Sequence, residues 1–107
     1  MSSPTIELVQ FRLKAGVDER TFLAAVADTQ SEIERLPGFL SRELLRGDDG
    51  LWVDLVHWRS KAEALAAAEA FGTMPEVAAF ASMIDETQMT MLHLGHAMSF
   101  GDGAASP

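Results

Sequence analysis

The chain contains no cysteine, so a disulfide, a thiolate metal site and a thiol nucleophile are all excluded. That usage fits a reducing compartment, and a cytoplasmic location is expected. No apolar run approaches the roughly 20 residues needed to cross a bilayer. The opening Met1-Ser2-Ser3-Pro4 lacks the basic-then-apolar order of a secretory signal. Positive charge is missing from the later part of the chain. All eight Lys and Arg lie at or before Lys61, whereas Glu63, Glu69, Glu76, Asp85, Glu86 and Asp102 follow it. With a net charge of −8 and no clustered basic surface, nucleic-acid and membrane partners are not expected; the acidity reads as a solubilising surface. Also absent are a glycine-rich phosphate loop, a nucleophile elbow, an acid pair with glycosidase logic and a His-Glu-x-x-His metal motif.

What is present is an ordinary globular composition, 48% hydrophobic over 107 residues, enough for one modest core. A single domain is expected over residues 1–98, with a small, glycine-rich, flexible tail over 99–107. Thr5 to Leu13 is β-branched, apolar and partly alternating, which predicts a first strand. Asp18 suits the N-cap of a helix running to about Leu36, where Phe22, Ala25, Val26, Thr29, Ile33 and Leu36 form one buried stripe. Pro37 stops that helix and Gly38 turns the chain into a second strand, Phe39 to Arg46. Gly47-Asp48-Asp49-Gly50 has the turn chemistry of a hairpin leading to a third strand, Leu51 to Trp58. Ser60 and Glu63 make a capping box for an alanine-rich helix to Phe71. Gly72 breaks it, Pro75 starts a shorter helix to about Met83, and a last strand is expected over Thr87 to Met98.

The order βαββαβ defines an α+β, ferredoxin-like fold with an antiparallel sheet ordered 4-1-3-2 and helices on one face. The other face would be bare. By alternation it is expected to carry Ile6, Leu8, Trp52, Val56 and Trp58, an apolar patch best covered by a two-fold partner, so a homodimer packed through the sheet is predicted.

Leu36-Pro37-Gly38-Phe39 before strand two, Trp52 through Trp58-Arg59-Ser60 on strand three, and the alanine-rich helix after it together resemble the antibiotic biosynthesis monooxygenase family of dimeric α/β barrels. The likeness spans about Thr5 to Met98. It implies one small-molecule pocket per subunit between sheet and helices, and cofactor-independent oxygenation of polycyclic phenols and quinols. Haem degradation, known in another branch, is not expected. Aligned through Leu13 to Gly16 and Trp58 to Lys61, Val9 replaces that branch's Asn, its helical Trp falls near Ala68 or Glu69, and Phe80 stands near its haem-ligating His.

Four residues are candidates for chemistry. Glu7 and His57 each lie on a strand face that is otherwise apolar, and are expected to meet beneath the helices. There the carboxylate could raise the imidazole pKa and leave a base able to deprotonate a phenol or quinol; the alternative is a solvated pair at the sheet rim. His93 and His96 point to opposite faces, so no metal site joins them, and either could be a lone pocket base. Val9, Phe11, Phe22, Leu55, Phe71, Phe80, Met83 and Met91 are the expected lining of an adaptable apolar pocket for a small aromatic ligand, or equally plain core. Trp52 and Trp58, with Asp54, read as interface packing rather than substrate stacking. Neither a cofactor nor a metal is expected. The expected activity is a cofactor-independent monooxygenase-like one with a pocket histidine as base. The alternatives are a non-catalytic binding or accessory dimer, and an isomerase or cyclase using proton transfer alone.

Overall fold

The computed structural model describes residues 4–101; the first three residues of the chain and residues 102–107 of the expected tail lie outside the described residues. The element order is β1 (Thr5–Phe11), α1 (Glu19–Ile33), β2 (Phe39–Arg46), β3 (Trp52–Trp58), α2 (Lys61–Phe71), α3 (Pro75–Ser82), a single 3-10 turn (Glu86–Gln88) and β4 (Thr90–Gly95). The sheet runs β2-β3-β1-β4, the expected order read from the other edge, and all three pairings are antiparallel. The fold is ferredoxin-like.

Local chemistry sets the element ends. The Asp18 carboxylate accepts from the backbone N–H of Thr21 at 3.0 Å and starts α1. The helix tightens after Ile33, where Arg35 and Leu36 donate to carbonyls three residues back, so it ends earlier than its apolar stripe. Gly38 then turns at φ +87°, and a Cβ there would lie 2.6 Å from the Glu63 side chain. Glycine is needed at this position twice over, for its backbone and for the close approach of α2. Ser60 caps α2, accepting from the Glu63 N–H at 3.2 Å.

Two strands are shorter than their sequence patterns. β1 stops at Phe11 because the chain leaves the sheet to bond elsewhere. Lys14 N–H donates to the Met83 carbonyl at 2.9 Å, Asp85 N–H donates to the Arg12 carbonyl at 2.9 Å, and Leu13 forms an isolated bridge with Ile84. The segment expected to open β4 is instead the 3-10 turn, with the Asp85 carboxylate accepting from the N–H of Thr87 at 3.0 Å and from the side-chain amide of Gln88 at 2.9 Å. β4 ends at Gly95, short of Met98.

The register decides which side of each strand meets the helices. Directly paired residues share a face. Glu7 lies opposite Val56 and His93, Val9 opposite Asp54 and Met91, and Phe11 opposite Trp52. The inner face therefore carries Trp52, Asp54, Val56 and Trp58, all buried. This corrects the expectation that Trp52, Val56 and Trp58 lie on the bare face. Both faces of β3 are apolar enough to be buried, so alternation gives its period but not which side is inner. The outer face carries Ile6, Leu8, Val53, Leu55 and His57, with Leu92 and Leu94 on β4. A register shift between Phe39 and Ser41 lets Phe39 pack on Trp58, ring centroids 5.8 Å apart, while Arg42 also points inward.

The core falls into two parts. One is an aromatic group centred on Phe22, whose ring meets Trp52, Phe11 and Phe80 at 5.1, 5.7 and 5.8 Å. The other comprises Ile33, Val56, Trp58, Ala64 and Ala67, and Phe71 packs against both.

Candidate functional site

Between these two parts lies a cavity of about 240 Å³. Its floor is the inner sheet face, with Glu7, Val9 and Phe11 from β1, Asp54, Val56 and Trp58 from β3, and Met91 from β4. Ala67, Ala68 and Phe71 of α2 roof it together with Val77 and Phe80 of α3, and Glu86 and Met89 contribute from the segment between α3 and β4. The alanines of α2 explain the space. Ala64 and Ala67 are buried, and with nothing beyond Cβ they bring the helix close without filling the volume beneath it.

Two buried carboxyls, Glu7 and Asp54, interrupt this apolar lining, and their surroundings differ. Asp54, 7% exposed, accepts from Arg42 Nε at 3.0 Å and Nη2 at 2.7 Å, a two-pronged ion pair. Arg42 Nη1 also donates to Thr29 Oγ1 at 3.0 Å and Gln30 Oε1 at 3.4 Å, and its guanidinium sits 5.9 Å from the Phe80 ring centroid. Thr29, fully buried, donates its own hydroxyl hydrogen bond to the Val26 carbonyl at 2.6 Å. The pair is thus held from β2, β3, α1 and α3 at once.

Glu7, 8% exposed, has one hydrogen bond, from the indole N–H of Trp58 at 3.1 Å. Its pKa is raised from the ordinary carboxyl value. Burial is the main cause and nearby Asp54 adds to it, against the downward pull of His93, the Trp58 N–H and Arg42. His93 Nε2 stands 3.8 Å from Glu7 Oε1. This nitrogen is buried and has no hydrogen-bond partner among the described residues. His93 also lines a second, outer cleft with Pro4, Thr5, Ser60, Lys61, Ala62 and Gly95.

Of the residues expected at the site, Glu7, Val9, Phe11, Phe71, Phe80 and Met91 line the cavity. Phe22 does not; it is fully buried at the centre of the aromatic group. Met83 packs against that group from outside the lining. Leu55 and His57 lie on the opposite sheet face. The Glu7–His57 pair is therefore not formed: His57 registers with Ile6, one residue from Glu7 and across the sheet. The histidine beside Glu7 is His93, its direct partner on β4. His96 lies past the end of β4, exposed, with its Nε2 against Ser99 Oγ.

Sequence reasoning missed Arg42 altogether and assigned Asp54 to an interface. A signal was available. Reckoned back from the hairpin turn, Leu44 faces Asp54, so Arg42 sits diagonally across from it on the same face. Opposite charges at a hairpin diagonal, amid apolar neighbours, mark a buried pair. Among the described residues no group of three His, Asp or Glu side chains is placed to hold a metal ion.

The comparisons with known proteins bear on the family and the fold. The model of the antibiotic biosynthesis monooxygenase family matches residues 4–82, and the chain belongs to that family. It is similar to SnoaB of Streptomyces nogalater, a cofactor-independent oxygenase. The TM-score is 0.78 at 17% identity, covering 94% of this chain and all of that one. It is also similar to the monooxygenase from the gene ActVA-Orf6 of Streptomyces coelicolor, solved in complex with Nanaomycin D. Here the TM-score is 0.69 at 18% identity, covering 94% of this chain and 93% of that one. A conserved protein of Methanosarcina mazei Go1 keeps the fold at 7% identity, with a TM-score of 0.72 over 89% of this chain and 94% of that one. At such identities the likeness establishes the fold. No curated protein matches the chain.

Proposed function

We propose that the protein is a cofactor-independent monooxygenase-like enzyme acting on a small hydroxylated aromatic compound, a quinol or polyketide-type phenol. The observation that carries this reading is the Glu7 carboxyl, set in the floor of an apolar cavity with its pKa raised by burial and His93 beside it. A base of that kind takes the proton from a bound phenol. The resulting phenolate is electron-rich, and the reduced substrate itself supplies electrons to O2. The cavity, at about 240 Å³, is smaller than the roughly 300–1,000 Å³ usual for drug-sized ligands, which favours a compact ring system. Val9, Phe11, Phe71, Phe80 and Met91 are assigned to holding it, and Asp54, fixed by Arg42, to accepting a second hydroxyl. The base is Glu7 with His93 in support, rather than a histidine alone.

The second part of the proposal is a homodimer. Leu45, Leu92 and Leu94 are each more than 40% exposed on the sheet face away from the helices, next to Ile6, Leu8 and Leu55. A second copy is the occupant that the family resemblance favours, and a solution mass near 11.6 kDa would remove this part.

The test is oxygen uptake with a panel of hydroquinones, for the native protein and Glu7→Gln. Consumption that falls by roughly 10²–10⁴ in the variant is the expected result. Conversion of a ligand without oxygen uptake would transfer the reading to a proton-transfer isomerase or cyclase. A tight ligand that is neither converted nor oxidised would make the protein a binding module.

A further inference from the structure

We propose that His93 is a proton relay through the wall between the inner cavity and the outer cleft, resetting Glu7 after each proton transfer while the ligand stays sealed inside. The inference rests on Glu7 being the base. Its ground is the position of two side chains. Glu7 belongs to the lining of the inner cavity and His93 to that of the outer cleft, yet they are direct partners across β1 and β4. Together they are the partition. The buried, unpartnered Nε2 of His93 faces the carboxyl at 3.8 Å, and a small rotation of either side chain closes that gap to a hydrogen bond.

A sealed base needs such an exit. Glu7 is 8% exposed, and a ligand filling the cavity would remove the remaining water from it. The other groups facing Glu7 cannot carry a proton away. The Trp58 indole is a donor only, and Arg42 stays protonated and is engaged by Asp54. Asp54 itself is held by that guanidinium. His93 alone has two ring nitrogens, one able to accept while the other donates. The steps balance. The substrate O–H gives its proton to the Glu7 carboxylate; the Glu7 acid gives it to Nε2 of neutral His93; Nδ1–H then gives a proton to water in the outer cleft. The ring returns to its starting tautomer by flipping or by exchange with that water. Lys61 on the cleft wall is the charged group from α2 that faces this exit.

The experiment compares His93→Ala, His93→Gln and Glu7→Gln in the full chain, with fold checked by circular dichroism. The hydroquinone used is the one consumed fastest by the native protein. A relay predicts that His93→Ala lowers kcat by about tenfold or more with KM unchanged, that added imidazole restores the rate in proportion to its concentration, and that His93→Gln stays slow. Native rates in His93→Ala, with Glu7→Gln inactive, would overturn the relay and leave the base. Native rates in both would overturn the base as well. Full activity in His93→Gln would make His93 a structural hydrogen-bonding residue and overturn the relay. A readout free of turnover is the nitrogen NMR signal of His93. Contact with the carboxyl predicts that Glu7→Gln moves that signal at a fixed pH, and an identical signal in native protein and variant would overturn the proposal.

Discussion

Glu7 and Asp54 are two buried carboxyls on the floor of one cavity, on neighbouring strands of one sheet face, and they have opposite fates. Asp54 is gripped in two places by Arg42, which is itself anchored to Thr29 and Gln30. Glu7 has a single neutral donor, Trp58, and an imidazole just beyond hydrogen-bond distance. Burial disfavours the charged form of both, but only Asp54 has a full counter-charge in contact. The difference teaches that depth alone does not make a carboxyl reactive. The partner decides, and in this molecule the partners come from different strands: Arg42 from β2 at one edge of the sheet, His93 from β4 at the other.

The comparison can be broken hardest from the Arg42 side. Arg42→Ala leaves Asp54 as an uncompensated buried charge and is expected to cost about 3–5 kcal/mol, read as a lower urea midpoint. A loss under about 1 kcal/mol would mean that the pair is not the anchor it looks like. Glu7→Gln is expected to do much less, and its effect is expected to depend on pH. The folded-state pKa of Glu7 is raised above the ordinary value of 4.5, so the folded protein binds a proton that the unfolded chain has released. Stability from this group is fully present below the unfolded pKa and is lost as pH rises through the folded one. The variant should therefore gain on the native protein as pH rises above the ordinary carboxyl value of 4.5, and a gap that does not change with pH would count against a raised pKa. The smallest effect is expected at His57, on the other side of the sheet. His57→Ala should change stability by no more than about 0.5 kcal/mol and leave the acid limb of the turnover profile unmoved. A large shift in that limb would restore His57 as the base.

Some of this was legible along the chain. The caps at Asp18 and Ser60, the Pro37-Gly38 break and the Gly47 to Gly50 turn act within a few residues, so they fix element order without help from the rest of the molecule. Glu7 was legible too: a lone acid on a strand face otherwise made of Val9 and Phe11 is conspicuous. Its partner was not, because the choice between His57 and His93 depends on which side of β3 is buried. A strand with Trp52, Val56 and Trp58 on one side and Val53 and Leu55 on the other carries a period of two and no direction. Likewise Thr87 and Met89 fit a strand pattern, but Asp85 captures Thr87 and Gln88 into a turn first.

The sequence by itself determined the βαββαβ order, the family, the apolar floor of β1 and the small-residue roof of α2, because each of these is written in spacing and local chemistry. The tertiary structure alone decided that Glu7 meets His93 and not His57, that Asp54 is claimed by Arg42, and that both tryptophans face the helices. Pairing across a sheet sets those contacts. A shift of one residue moves a whole strand to the other face, and the register is chosen by packing among all four strands at once rather than by any one of them.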